Sequence, residues 1–274
     1  MGERVHTVGL IGAGIDASLS PALHEAEAAA LGLSYEYRLL EIEGHALPDL
    51  LEQARAAGFS GVNVTHPCKQ DVVALLDDLS PEAAALDAVN TVVFSSGRAI
   101  GHNTDASGFA ESFRRGLRDA PLGKVVVLGA GGAGSAVAHA ALRLGAQDLV
   151  IVDVDSTRAA ALAHRLGART GALDHLLDAD GLIHATPTGM AAHPGLPLPE
   201  ALLRPDLWVA EVVYRPLETE LVKRARELGC RTLDGGGMAV MQAAGSLELF
   251  TGVTPNRERM LRHFATLVQP VGAR

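Results

Sequence analysis

Short apolar runs alternate along this chain with longer stretches whose apolar positions recur three and four residues apart, as strands and helices alternate in an α/β protein. In the first third, residues 7–11 read as a strand, and Ser20-Pro21 opens a helix through Ala30, with serine as N-cap and proline at the first helical position. Residues 35–42 read as extended, 47–57 as an amphipathic helix ended by Gly58, and 61–65 as a short buried strand. A helix is expected around 72–79. Strands over 90–94 and 98–101 then form a hairpin turning at Ser95-Ser96-Gly97.

The middle of the chain predicts a helix over 105–117, then the turn-rich stretch 118–123, where an interdomain boundary is expected. A βαβ pattern follows: strand 124–128, helix 133–144 and strand 148–152. Further strands are expected at 181–185, 207–213 and 231–233, and two helices at 238–250 and 255–268. No internal repeat or low-complexity segment interrupts this order.

The apolar strand Val125-Val126-Val127-Leu128 runs directly into Gly129-Ala130-Gly131-Gly132-Ala133-Gly134, a GxGxxG pattern with a helix starting at once. Glycines there permit a tight turn and let the backbone approach a pyrophosphate, which the helix N-terminus then stabilises. Asp153 closes the next strand near the spacing (about 20 residues) expected of an acid that binds a ribose. Gly12-Ala13-Gly14 also follows a strand, but its helix starts only at Ser20-Pro21 and Asp16 would sit close to the phosphates. Those glycines are better read as serving a loop that approaches something else.

Asp153-Val154-Asp155 supplies carboxylates and no arginine. A carboxylate accepts hydrogen bonds from a ribose 2′-hydroxyl but repels a 2′-phosphate, so the cofactor expected is NAD. Arg158 is the nearby cation, and by itself it reads as an exposed helix residue.

Composition narrows the classes. A chain of 274 residues suits two compact domains, and its 48% hydrophobic and 20% charged content is that of an ordinary globular protein. The net charge of −9 argues against nucleic acid or an anionic membrane as a main partner. Cys68 and Cys230 match no zinc or CxxC spacing and read as reduced thiols of a cytoplasmic protein. Residues 1–10 carry Glu3, Arg4 and His6 and no long apolar core, so no secretory signal is expected, and no membrane span is expected elsewhere. The scattered histidines give no metal site.

Three polar clusters fall at loops and strand ends. Ser18 and Ser20 flank Leu19, so in an extended segment both hydroxyls face one way and together suit a carboxylate. Gly61-Val62-Asn63-Val64-Thr65-His66-Pro67-Cys68-Lys69 puts a lysine just past a buried strand, and Gly101-His102-Asn103-Thr104-Asp105 puts a carboxylate at a helix start. Taken singly, Lys69 reads as a solvated charge, Asp105 as a helix cap, and Ser20 equally as an N-cap.

Taken together, these segments with Ser18-Leu19-Ser20-Pro21, the glycine turn, Ala185-Thr186-Pro187-Thr188-Gly189-Met190 and 235–242 resemble the shikimate/quinate dehydrogenase family. The order is the same over essentially the whole chain. Biosynthetic members usually carry an Asn-Arg-Ser/Thr clamp for the NADP phosphate at 153–155, so this chain looks closer to the NAD-dependent quinate/shikimate dehydrogenases.

The resemblance implies a substrate-binding domain from residues 1–104 plus 240–274 and a Rossmann-like, doubly wound NAD-binding domain from 105–239, with the active site in the cleft between them. It implies Lys69 and Asp105 as the catalytic pair: as the alcohol loses hydride its proton must leave, and a lysine beside a carboxylate can relay it. Ser18 and Ser20 would hold the substrate carboxylate. Thr65, Asn90, Asp105 and Gln242 would bind the ring hydroxyls, and Tyr214 would line the cleft. The glycine turn (Gly129, Ala130, Gly131, Gly132, Ala133), Asp153, Arg158, Thr186, Val213, Gly235 and Met238 are the residues expected at the cofactor. Expected substrates are quinate, shikimate or their 3-dehydro forms, handled by a monomer or homodimer. A biosynthetic NADP-dependent shikimate or amino-shikimate dehydrogenase would use the same site, and a catalytically silent sensor of NAD or shikimate is the alternative of another class. Retention of both Lys69 and Asp105 speaks against the sensor.

Overall fold

The computed structural model describes residues 5–269; Glu3, Arg4 and the last residues of the chain lie outside that range. The chain divides into two compact units, Met1–Thr104 with Val240–Arg274, and Asp105–Ala239.

In the first unit the order is β1 (His6–Gly12), α1 (Ser20–Ala30), β2 (Tyr35–Glu41), α2 (Leu47–Ala56), β3 (Gly61–Val64), β4 (Asp78–Leu79), α3 (Pro81–Leu86), β5 (Thr91–Ser95) and β6 (Arg98–His102). Its sheet runs β2-β1-β3-β5-β6-β4, with β1 parallel to β2 and β3, and β5 antiparallel to both β3 and β6. Alternation along β1 sorts its side chains to the two faces. Val8 and Leu10 pack with Tyr37 and Phe250, while Ile11 joins Leu50, Leu51, Val62 and Val92. Each such fully buried side chain contributes about 1.5–3 kcal/mol of transfer free energy. The β5–β6 hairpin turns on Ser96 and Gly97, both at positive φ (50° and 76°), the backbone a two-residue loop between twisted strands requires.

The second unit contains α4 (Asp105–Gly116), β7 (Lys124–Leu128), α5 (Gly132–Leu144), β8 (Asp148–Val152), α6 (Ser156–Leu166), β9 (Arg169–Thr170), β10 (Gly181–His184), β11 (Trp208–Glu211), α7 (Glu220–Glu227) and β12 (Thr232–Leu233). The sheet is parallel throughout in the order β12-β11-β10-β7-β8-β9. Counted from β7, that is the 3-2-1-4-5-6 order of the doubly wound dinucleotide-binding fold, with its switch point between β7 and β10. Val125, Val126 and Val127 are fully buried, as a central strand covered by helices on both faces demands. Two helices close the chain: α8 (Gly236–Thr251), which begins at the end of the second unit, and α9 (Arg257–Leu267). Among the described residues no helix is long and apolar enough to cross a membrane.

Three expectations are corrected. Residues 72–79 are not a helix but a 3-10 turn, Asp71–Leu75, followed by β4. The Asp77 carboxylate accepts the Ala99 N–H at 2.7 Å while its own N–H reaches Ala99 O at 3.0 Å, which draws the chain onto the sheet beside β6. The turn-rich stretch 118–123 lies inside the second unit, because the Trp208 indole donates to Pro121 O at 2.7 Å and Arg231 donates to Arg118 O at 2.6 Å. Ser20 is not an N-cap. Leu19 holds that place in αR geometry, so 18–20 is not the extended segment that alternation assumed. Instead Ser18 Oγ accepts the Ser20 N–H at 3.2 Å.

Candidate active site

Strand β7 ends where Gly129 takes φ 110°, and Gly131 precedes the first turn of α5. The glycines answer to space as well as to φ. A Cβ on Gly134 would lie 2.0 Å from Gly129 O, and one on Gly129 would lie 2.7 Å from Ala185 O and 3.1 Å from Thr186 N. A Cβ on Gly131 would meet nothing within 4 Å. The first two glycines therefore close the turn onto α5 and the end of β10, and the third leaves the helix N-terminus open to a ligand. A pyrophosphate fits such a cradle of backbone N–H groups.

Asp153, half-buried at the end of β8, braces this turn. Its Oδ2 accepts the Ala130 N–H at 2.6 Å and its Oδ1 accepts the Asp155 N–H at 2.8 Å. A carboxylate offers about four lone-pair directions, so this bracing leaves acceptor capacity for a ribose hydroxyl. Asp155 caps α6, accepting the N–H groups of Thr157 and Arg158 at 3.0 and 3.1 Å. The Arg158 N–H, more than any other influence, holds the Asp155 carboxyl below its ordinary range. The Arg158 guanidinium lies 3.5 Å from the same carboxylate. Val154 between the two acids is fully exposed. On the other half of the sheet, Gly235 brings the start of α8 against the backbone after β11: a Cβ there would lie 2.5 Å from the carbonyl oxygens of both Val212 and Val213. Met238 is buried in the first turn of that helix, and Tyr214 is half-buried beyond Val213.

Gly12-Ala13-Gly14 serves the chain itself. A Cβ on Gly12 would lie 2.3 Å from the Thr65 methyl, Ala13 donates to His66 O at 2.9 Å, and Gly14 takes φ 64°. The N–H groups of Gly14 and Ile15 both donate to the Glu41 carboxylate at 3.1 Å. The Ile15 N–H foremost holds that carboxyl below its usual range. Glu41 thus fills the anion seat that a phosphate would need.

In the first unit Thr65, Lys69 and Asn90 stand together at the end of β3, where the Val64 N–H donates to Asn90 O at 2.8 Å. Thr65 and Lys69 are half-buried on the turn after Val64, whose His66–Pro67 peptide is cis. Lys69 O accepts the Val89 N–H at 2.8 Å, which sets the lysine's backbone beside Asn90. Asn90 is 3% exposed; its Oδ1 accepts the Thr104 N–H at 2.8 Å and its Nδ2 donates to Thr104 Oγ1 at 2.8 Å. Asn63 extends the network, donating to Asn90 O and Thr91 Oγ1 and accepting from the Tyr37 hydroxyl at 2.9 Å. This buried lattice fixes the backbone that leads through Thr104 into Asp105, the first residue of α4. Ser18 and Ser20 lie half-buried at the start of α1, and Gln242 half-buried on α8.

Sequence reasoning missed a further set. His184 ends β10 and Glu211 ends β11, directly paired across the parallel ladder. Both side chains are fully buried, with His184 Nδ1 2.9 Å from Glu211 Oε1. The signal was available: two ionisable residues terminate adjacent apolar runs, where a buried charge is retained only with a partner.

A family model described as the shikimate dehydrogenase substrate-binding domain matches residues 10–92. The NADP(+) shikimate dehydrogenase of Streptomyces avermitilis is 58% identical over 290 residues, covering 100% of both chains. The NAD(+) quinate/shikimate dehydrogenase of Corynebacterium efficiens is 47% identical over 278 residues, covering 95% of this chain and 98% of the relative. Among solved structures, the quinate dehydrogenase from Corynebacterium glutamicum in complex with NAD matches with a TM-score of 0.90 at 45% identity, covering 96% of this chain and 99% of that one. With full-length relatives at these identities, and a doubly wound dinucleotide-binding unit beside a substrate-domain match, the chain belongs to the shikimate/quinate dehydrogenase family of pyridine-nucleotide oxidoreductases.

Proposed function

We propose that this enzyme is an NAD-dependent dehydrogenase that interconverts quinate and/or shikimate with the corresponding 3-dehydro acid. The observation that carries the cofactor assignment is the carboxylate of Asp153, fixed against the glycine turn at the ribose end of β8. A second carboxylate, Asp155, stands close by. Both favour a free 2′-hydroxyl and disfavour a 2′-phosphate. The NADP(+) name of the Streptomyces relative supports a second reading, in which Arg158 would pair with a phosphate. Against it, the Arg158 guanidinium is turned to Asp155.

Gly129, Ala130, Gly131, Gly132 and Ala133 would hold the pyrophosphate and Asp153 the adenosine ribose. Thr186, Val213, Gly235 and Met238, from the β10–β12 half of the sheet, would hold the nicotinamide half. Bound nicotinamide supplies the hydride acceptor for the alcohol carbon. The Lys69 amine takes the proton released from the hydroxyl, and the Asp105 carboxylate orients it and stabilises the ammonium that forms, which then passes its proton to solvent. Ser18 and Ser20 hold the substrate carboxylate, and Thr65, Asn90 and Gln242 match the ring hydroxyls, since an unpaired buried hydroxyl is costly. Tyr214 borders the reacting ring.

Initial rates of NADH and NADPH formation, with quinate and shikimate offered separately, test the proposal. Turnover with NAD and either acid is expected, and the ratio of specificity constants names the substrate. Turnover with NADP alone would overturn the role given to Asp153, and none with any pair would return the sensor reading.

A further inference from the structure

Four side chains of the second unit form one hydrogen-bonded chain that neither hydride transfer nor proton relay uses. Thr219 Oγ1 donates to Glu211 Oε2 at 2.9 Å and accepts the Val222 N–H at 3.2 Å as the cap of α7. Glu211 Oε1 accepts the Val213 N–H at 3.0 Å and the His184 Nδ1–H at 2.9 Å. His184 Nε2 lies 2.6 Å from Thr186 Oγ1, which also accepts the Thr188 N–H at 3.3 Å. His184, Glu211 and Thr219 are buried, whereas Thr186 is half-buried.

The partners dictate the direction of each bond. A carboxylate only accepts, so His184 donates from Nδ1, and in that tautomer Nε2 is the acceptor. The hydroxyl of Thr186 is the donor that meets it. Thr186 has thereby spent its proton and received one N–H, and it keeps one lone pair for a ligand group that donates. Thr186 stands at the switch point, because Gly129 passes so close to its backbone nitrogen that a Cβ would lie 3.1 Å away. A dinucleotide crosses a 3-2-1-4-5-6 sheet at that place, and its second mononucleotide lies over the β10–β12 half. The loop carrying Thr186 is anchored at the chain's far end too: Gly189, at φ 99°, would bring a Cβ within 3.1 Å of the Thr219 methyl.

We infer that His184 and Glu211 are positioning residues for the nicotinamide half of the cofactor. Glu211 fixes the His184 tautomer and the Val213 amide, and His184 fixes the Thr186 hydroxyl as an acceptor for a ribose hydroxyl or carboxamide N–H. This rests on the dinucleotide reading above.

The test is a double-mutant cycle read by NADH fluorescence titration, which needs no turnover. His184→Asn keeps an amide near the Nδ1 position facing Glu211 and removes the link to Thr186; Thr186→Val removes the hydroxyl. Each single variant is expected to raise the Kd for NADH about five- to tenfold, the worth of one hydrogen bond, and the double variant to raise it no further. Thr186→Ser, which keeps the hydroxyl, is expected to hold the wild-type Kd within about twofold. If His184→Asn does not fold, Glu211→Gln carries the same prediction, since it keeps the shape and removes one of two acceptor oxygens. An unchanged Kd in the folded variants, or single effects that multiply in the double, overturns the inference. Absence of NADH binding to the wild-type protein would instead overturn the dinucleotide reading itself.

Discussion

Asp153→Asn changes one atom and puts the cofactor assignment at risk. The carboxylate receives two backbone N–H groups, from Ala130 at 2.6 Å and Asp155 at 2.8 Å. An amide has one oxygen for those two donors, and its nitrogen must face the other. A hydrogen bond to a charged acceptor contributes about 1.5–3 kcal/mol. Asp153 is half-buried, and discounting for solvent leaves a loss of about 1–2 kcal/mol in NAD binding and turn order. For NADP the sign reverses. Removing a unit charge about 5 Å from a phosphate relieves roughly 1–3 kcal/mol at effective dielectric constants between 80 and 20. The preference for NAD over NADP is therefore expected to fall by about 2–5 kcal/mol, or about 30- to 5,000-fold in the ratio of kcat/KM. Initial rates with each dinucleotide at saturating acid measure that ratio, and a thermal melt checks the fold. A ratio within about threefold of wild type, from a variant that melts normally, would refute the carboxylate as the discriminating group.

Gly134→Ala sets a Cβ 2.0 Å from Gly129 O, so it is expected to lower the melting temperature and abolish NADH binding; Gly131→Ala, with open space around its Cβ, is expected to melt normally and bind NADH more weakly. Lys69→Ala is expected to remove most turnover while NADH affinity by fluorescence stays near wild type, and an equal loss of affinity would count against Lys69 as a substrate-side catalyst. Arg259→Ala leaves the Glu27 carboxylate, 1% exposed, with the Asn256 N–H but without its guanidinium partner. Since the carboxylate left behind is buried, a lower urea midpoint is expected in equilibrium unfolding. Burial pushes the His24 imidazole from 6.5 down to about 3, so the unfolded chain takes up the proton first as pH falls. The native state then loses about 1.4 kcal/mol per pH unit below 6.5, and a folded His24→Gln variant is expected to lose roughly 2 kcal/mol less between pH 7 and pH 5.

Elements dictated by local chemistry were legible before any coordinates. The β7–α5 turn, the Ser96-Gly97 hairpin and the α/β alternation follow from glycine, from apolar periodicity and from strand length, all of which act within a few residues. The failures have a common cause in contacts made far along the chain. Residues 72–79 carry enough apolar positions for a helix, yet Asp77 bonds to Ala99 and turns the segment into an edge strand. Stretch 118–123 has a linker's composition, but Trp208 pins it to the second unit. Helix α7, over Glu220–Glu227, is the exception, since its cap, Thr219 accepting the Val222 N–H, is local and was legible. At the site, types and order of residues were legible, whereas the partners of Asn90 and the His184–Glu211 pair were not. Parallel neighbours such as His184 and Glu211 are joined only by the register of β10 on β11.

The two glycine turns show where spacing stops being sufficient. Both Gly12-Ala13-Gly14 and Gly129-Ala130-Gly131 follow a buried parallel strand, and both expose N–H groups that attract negative charge. At the first turn the chain supplies the anion itself, because β2 lies parallel to β1 and ends at Glu41, level with Gly12. The carboxylate then needs only its own length to reach the N–H groups of Gly14 and Ile15. At the second turn the neighbouring strand also ends in an acid, but Asp153 is one methylene shorter and binds the Ala130 N–H before the helix begins. The N–H groups at the start of α5 keep their seat. Between a filled and an open anion site, the difference here is the reach of one side chain and the residue it ends beside: Glu41 fills the first turn, whereas Asp153 braces the second.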